Sequence, residues 1–291
     1  MTPRAWILFA LSSVIWGIPY LFIKVAVDAG VPPGFVAWSR IALAAILLLP
    51  IAVRRGAMAR LRGRAGAIVA YAACEIAVPF VLIAYGERRL ASSLAAILIA
   101  TMPLMVAVLS LWLHASDRPT GLRLLGLVIG FAGVVALLGV DVAGRPGELL
   151  GAGLVLLATV CYAIAPLIVD RYLVDLDPLG PVTASLLLGT VALLPAVFMG
   201  SPVAAITPAA IVAIVVLGVV CTALGLIVFF RLIAAAGPAR ASVITYVNPL
   251  VAVLVGVAWL HERLTPASLL GLVLILFGSW ASTGKVVRAE N

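Results

Sequence analysis

Glu75 is an acid in apolar company. Tyr71, Glu75 and Pro79 recur every four residues, so on a helix their side chains share one face. A carboxyl group so placed either recognises the amino group of a substrate or carries a proton. The alternatives are a structural partner for Arg40, the one basic residue well inside an apolar run, or a hydrogen-bonded core acid. Trp16 and Tyr20 lie one turn apart in the first apolar run, and Tyr162 holds the place of Trp16 about 146 residues later. These rings form either the wall of a cavity, able to stack on a planar substrate or attract an ammonium group, or the filling of a core. Asn248 offers donors and acceptors beside Thr245 and Tyr246, with Thr101 at the related place in the first half. That cluster suits a substrate carboxylate or hydrogen bonding between helices.

Prolines recur near the middle of apolar runs at Pro19, Pro79, Pro103, Pro166 and Pro249. Each removes an N–H and frees a carbonyl four residues earlier, which kinks the helix and provides a hinge. His114 and His261 occupy matching run ends and read as interface residues; Cys74, Cys161 and Cys221 read as small packing residues. Phosphate-loop, zinc-protease and nucleophile-elbow motifs are missing from the sequence. No cofactor, metal or ATP site is therefore expected.

The elements that must position these residues follow from composition. Of 291 residues 65% are apolar and 10% charged, with mean hydropathy +1.29, against roughly half and a quarter in soluble domains. Ten apolar stretches are present, at 6–27, 35–53, 66–85, 90–114, 120–140, 148–170, 179–200, 208–233, 239–260 and 266–284. Runs of this length must be helices, because lipid offers backbone groups no partner. Gly126 with Gly130, and Gly147 with Gly151, have the spacing that lets helices approach closely. The first run is too long for a signal peptide and reads as a retained helix. The fold class expected is an all-α polytopic membrane protein with ten transmembrane helices.

Charge sets the orientation. Arg4, Arg54, Arg55, Arg60, Arg62, Arg64, Arg118, Arg123, Arg171, Arg231, Arg240, Lys285 and Arg288 fall on the side of both termini. Lys24, Arg40, Arg88, Arg89, Arg145 and Arg263 fall on the other. This bias places both termini in the cytoplasm. It also accounts for the net charge of +8 without a nucleic-acid partner. Five of the six tryptophans, Trp6, Trp38, Trp112, Trp259 and Trp280, sit near run ends as headgroup anchors.

The halves resemble one another at a shift of about 146 residues. Pro103-Leu answers Pro249-Leu, Trp112-Leu-His114 answers Trp259-Leu-His261, and Gly126-Leu-Val answers Gly271-Leu-Val. Five spans per repeat force the second repeat to cross the membrane in the opposite sense, so 1–142 and 143–291 read as two inverted five-helix repeats. Such an architecture gives alternating access around a midplane site.

The pattern Pro249, Gly256, His261-Glu262-Arg263-Leu264-Thr265, Gly271, Gly278 resembles the end of an EamA repeat of the drug/metabolite transporter superfamily, and Trp16-Gly17 with Arg40 resembles the start of one. The first half carries Ser116-Asp117-Arg118 where the second has Glu262-Arg263-Leu264, so the motif's glutamate is matched only at Glu262. The resemblance covers the chain twice and implies export or exchange of small metabolites. Compact size makes the chain similar to bacterial amino-acid exporters, aromatic amino acids included. Trp16, Tyr20, Tyr71, Glu75, Thr101, Tyr162, Tyr246 and Asn248 are then expected to line the cavity, and the five prolines to shape moving helices. Expected partners are a small-molecule substrate, the bilayer of a bacterial inner membrane and, if Glu75 carries them, protons; the sequence leaves the oligomeric state open, with a monomer compatible with it. A membrane-embedded lipid enzyme would need a metal or nucleophile cluster, and a channel a continuous polar stripe, neither of which the sequence contains.

Overall fold

The computed structural model describes residues 1–113, 121–139, 144–198 and 207–283. Six apolar helical segments are long enough to cross a membrane: α1 (Pro3–Asp28), α2 (Pro33–Arg54), α3 (Ala65–Glu87), α4 (Ser92–Ile99 continuing as Met102–Leu113), α6 (Pro146–Leu173) and α8 (Pro208–Ala236). Four shorter apolar helices accompany them: α5 (Leu122–Leu137), α7 (Leu179–Ala192), α9 (Ile244–Leu260) and α10 (Pro266–Thr283). The described chain is thus an all-helical, multi-pass membrane protein. His114 and the Ser116-Asp117-Arg118 stretch lie outside the described residues, as does the side chain of Trp112.

Local chemistry sets the helix ends. Pro3, Pro33, Pro146, Pro208 and Pro266 open their helices, where the missing N–H has no intrahelical partner to lose. Thr2, Thr207 and Thr265 accept from Ala5, Ala210 and Ser268 backbone N–H groups at 3.3, 3.2 and 3.0 Å, which satisfies a first-turn donor.

The interior is ordered as lipid requires. Ile46, Val135, Phe198, Leu254 and Trp259 point outward with more than 65% of their surface exposed. Buried hydroxyls turn back on their own helices, as Ser39 does to Phe35 O at 2.7 Å and Thr159 to Val155 O at 2.9 Å.

Helix pairing is reciprocal between the halves. Helix α1 packs on α8 and α9, while α6 packs on α3 and α4; α2 meets α8 as α7 meets α3. Helices α5 and α10 lie against each other and reach the remainder chiefly through α4. Glycine makes that last pair possible, because a Cβ at Gly278 would sit 2.5 Å from the Gly126 carbonyl oxygen and 2.5 Å from Gly130 Cα. Gly151 is similarly close to Gly86, with its own Cβ position 3.0 Å from the Gly86 carbonyl oxygen, but Gly147 faces open space and is not a packing glycine.

The proline breaks vary. At Pro19 the first helix stops at Gly17 and restarts; before Pro103 the chain leaves the helix at Ala100 and Thr101. Pro79 follows a π-helical stretch, Ala72–Ala77, and Pro166 precedes another, Val169–Leu173. At Pro249 the helix runs through without a change of register. A third π-helical stretch, Val216–Leu224, has no proline inside it. There the Thr222 hydroxyl donates to Leu217 O, five residues back, at 2.8 Å, the spacing of a π turn.

Gly278→Ala therefore forces α5 and α10 apart and is expected to cost about 1–3 kcal/mol, read as a lowered Tm of the purified protein in detergent. Gly147→Ala meets nothing within 4 Å and is expected to leave Tm unchanged or slightly raised.

Candidate functional site

Three helices bring a polar group together inside the bundle. Tyr20 comes from α1, Tyr71 and Glu75 from α3, and Tyr162 from α6; all four are half-buried. Glu75 lies within the π-helical stretch Ala72–Ala77, so the widened turn sits where the carboxylate projects. Tyr162 lies within electrostatic reach of Glu75, Tyr20 and Arg40. Among the described residues, none of these three tyrosine hydroxyls or the Glu75 carboxylate has a hydrogen-bond partner in the protein.

Arg40 on α2 completes the cluster and is 9% exposed. Its Nε donates to Thr222 Oγ1 at 2.7 Å and its guanidinium lies 4.0 Å over the Phe80 ring. Thr222 in turn donates a hydrogen bond to Leu217 O at 2.8 Å, so the π turn of α8 also holds the guanidinium. No ion pair joins Arg40 to Glu75 among the described residues. The structural pair weighed from sequence is not formed.

Glu75 is not the only deep acid. Glu87, at the end of α3, is 0% exposed and both its carboxylate oxygens are sealed without a hydrogen-bond partner among the described residues. It feels the charges of Lys24, Arg40, Asp28 and Glu262. Lys24 itself bridges to Asp28 at 3.0 Å and donates to the Glu87 backbone carbonyl at 3.1 Å. The flanking Arg88 and Arg89 give Glu87 the look of a loop residue in sequence.

The other expected site residues lie elsewhere. Trp16 faces α8, with its ring 4.6 Å from that of Phe229 and its Nε1 so close to Gly225 that a Cβ there would come within 2.6 Å. Asn248 turns its amide nitrogen to Ser13 O and Ile244 O, 3.2 and 3.0 Å away, which ties α9 to α1; Tyr246 is half-buried near it. Thr101 is fully buried and donates to Leu98 O at 2.6 Å, repairing a carbonyl where α4 breaks and leaving no group for a substrate. Cys221 is buried, Cys74 and Cys161 half-buried, and all three are free thiols. No cluster of three His, Cys, Asp or Glu side chains suited to a metal ion occurs among the described residues.

Glu262 holds the halves together. Its two carboxylate oxygens accept from the Ser92 and Ser93 backbone N–H groups at 2.6 and 2.9 Å, so a loop after α9 caps the N-terminus of α4. A carboxylate satisfies first-turn donors and complements the positive helix end. Exposed His261 beside it takes the left-handed conformation with φ 53° that turns the chain there.

Comparison with known proteins identifies the family. The EamA-like transporter family matches residues 4–139 and again 149–284. The chain is 28% identical to the uncharacterized transporter YvbV of Bacillus subtilis (strain 168) over 277 residues, 94% of this chain and 89% of that protein. It is 29% identical to the uncharacterized inner membrane transporter YedA of Escherichia coli (strain K12) over 274 residues, covering 93% and 87%. A protein crystal structure superposes over 100% of both chains with a TM-score of 0.69 at 17% identity, a likeness of fold.

Glu262→Ala is expected to destabilise the purified protein by about 1–2 kcal/mol, measured as a fall in Tm in detergent. Glu262→Gln should recover only part, since its amide presents one acceptor and one donor to two N–H groups.

Proposed function

The chain belongs to the EamA-like transporter family, and from that premise we propose that it exports a small metabolite, an amino acid with aromatic ones included, by alternating access around a midplane cavity. The observation that carries this reading is the convergence of Tyr20, Tyr71, Glu75 and Tyr162 from α1, α3 and α6, with polar atoms that no protein group engages. Three phenol rings supply apolar faces with polar tips, and the carboxylate supplies a counter-charge for an ammonium group.

The proposed architecture is ten spans in two inverted repeats, 1–142 and 143–291, in an inner membrane with both termini cytoplasmic. The reciprocal helix pairing, the double family match and the loop charge bias support it. Side-chain links agree with the sidedness, because each joins ends that this topology puts on one face. Trp38 Nε1 donates to Thr190 O at 3.0 Å and Glu262 reaches Ser92 and Ser93 on the outer side. Arg64 meets Asp175 at 2.9 Å on the inner side. The breaks at Pro19, Pro79, Pro103 and Pro166 give α1, α3, α4 and α6 places to bend; Pro249, inside a continuous helix, is proposed as a weaker hinge. Trp16, Tyr246 and Asn248 extend the cavity wall toward α8 and α9, while Thr101 is left out of it.

Reconstituted into liposomes, the protein is expected to exchange labelled L-phenylalanine for internal unlabelled amino acid, with transport stimulated from the opposite side as a carrier requires. Glu75→Gln should lower the exchange rate at least about tenfold. If Glu75 also carries protons, the variant loses the stimulation that a pH gradient gives the wild type. A variant with unchanged rate and unchanged pH response would remove Glu75 from the mechanism.

A further inference from the structure

A buried guanidinium normally spends its donors, because desolvating a charge without partners is expensive. Arg40 spends one. Nε is held by Thr222 at 2.7 Å and the flat of the group by Phe80 at 4.0 Å, which fixes its plane. Among the described residues the two terminal nitrogens have neither a hydrogen-bond nor an ion-pair partner, although nine-tenths of the residue is buried. They are not among the sealed polar atoms of the described residues, and Tyr20 and Tyr162 lie within electrostatic reach of the group. Glu87 lies within electrostatic reach but not within ion-pair distance. A planar fork presented in this way matches the two oxygens of a carboxylate.

Tyr162 supplies a second observation. Its phenol feels the charges of both Arg40 and Glu75, so one side chain of the site lies within electrostatic reach of both groups, and an α-amino acid carries one charge for each.

We propose that Arg40 is the carboxylate anchor of the transport site and that, with Glu75 as the opposite pole, it selects free α-amino acids over their decarboxylated or deaminated analogues. This rests on the amino-acid reading above and sharpens it: both charges of the substrate backbone are held, and the side chain is left to the tyrosine rings. Phe80 and Thr222 are positioning residues that orient the fork.

The test is ligand truncation against residue truncation. Binding of L-phenylalanine, phenethylamine, which lacks the carboxylate, and 3-phenylpropionate, which lacks the ammonium group, is measured on the purified full-length protein in detergent. Wild type is expected to prefer L-phenylalanine over either analogue at least about tenfold. Arg40→Gln should abolish the preference over phenethylamine while keeping phenethylamine binding, and Glu75→Gln should abolish the preference over 3-phenylpropionate. Should Arg40→Gln fail to fold, Arg40→Lys, which keeps the charge and loses the fork, is expected to lose most of the same preference. A folded Arg40 variant that keeps the wild-type preference overturns the proposal, makes Arg40 the counter-charge of Glu87, and leaves the amino-acid reading standing. If no amino acid is transported but 3-phenylpropionate binds in an Arg40-dependent way, the anchor stands and the amino-acid reading falls. Absence of binding by every carboxylate probe overturns both.

Discussion

Everything in this structure answers to a solvent that cannot hydrogen bond. A backbone N–H or C=O facing lipid has no partner but its own helix, and the chain responds by being helical wherever it is apolar. Departures from the α pattern are then informative. The breaks before Pro19 and Pro103 and the π-helical stretches Ala72–Ala77, Val169–Leu173 and Val216–Leu224 fall in helices that pack against several neighbours. Helices α5 and α10, which meet the bundle on one side, run unbroken between Leu122 and Leu137 and between Pro266 and Thr283, with π-helical backbone at 138–139 past the end of α5. Irregular backbone is tolerated where protein can supply the missing bonds, as the Thr101 hydroxyl does for Leu98 and the Thr222 hydroxyl for Leu217.

Within that frame the two halves share a pairing scheme but not a chemistry. Reciprocal contacts put α3 of the first half and α8 of the second in equivalent places, and both contain a π-helical stretch. Shifted by 146, Glu75 falls on Cys221 and Arg40 on Leu186. The charges of the site thus come from the first half alone, and the second half contributes Tyr162 and the hydroxyl of Thr222 that steadies Arg40. Under the proposed alternating access, a symmetric scaffold with an asymmetric lining would let the bundle rock while a substrate meets one fixed set of charges.

Much of this was legible from residues alone, and what was not has a common cause. Apolar runs marked the helices to within a few residues, since length and hydropathy are local. Tyr71 and Glu75 share a face because helical periodicity is local too. The residues that escaped depend on contacts remote in sequence. Glu87, flanked by Arg88 and Arg89, lies where Lys24 of α1 reaches its backbone carbonyl and where Gly86 and Gly151 bring α3 and α6 close together. Glu262 reads as a loop acid in a motif, yet it caps a helix that begins at Ser92 in the other half. Arg40 and Glu75 were natural partners on charge alone, but Thr222 on α8 draws the guanidinium elsewhere. The π turn of Val216–Leu224 had no proline to announce it.

Under the proposed alternating access, exchange of the site between two faces requires that neither closure be costly to undo. The links at the end assigned to the cytoplasm are of that kind: Arg64 reaches Asp175 and the Tyr172 carbonyl across α3 and α6, and both charged side chains are substantially exposed. An exposed ion pair contributes at most about 1 kcal/mol. At the opposite end the halves are joined by hydrogen bonds involving backbone, from Trp38 to Thr190 O and from Ser92 and Ser93 N–H to Glu262, worth about 0.5–1.5 kcal/mol for the neutral bond and about 1.5–3 kcal/mol for each bond to the carboxylate. Against such links, a ligand that satisfies open donors on Arg40 and open acceptors on Glu75 brings an interaction of comparable size. Under the proposed alternating access, open hydrogen-bonding capacity at the centre is what would let binding there bias which end opens.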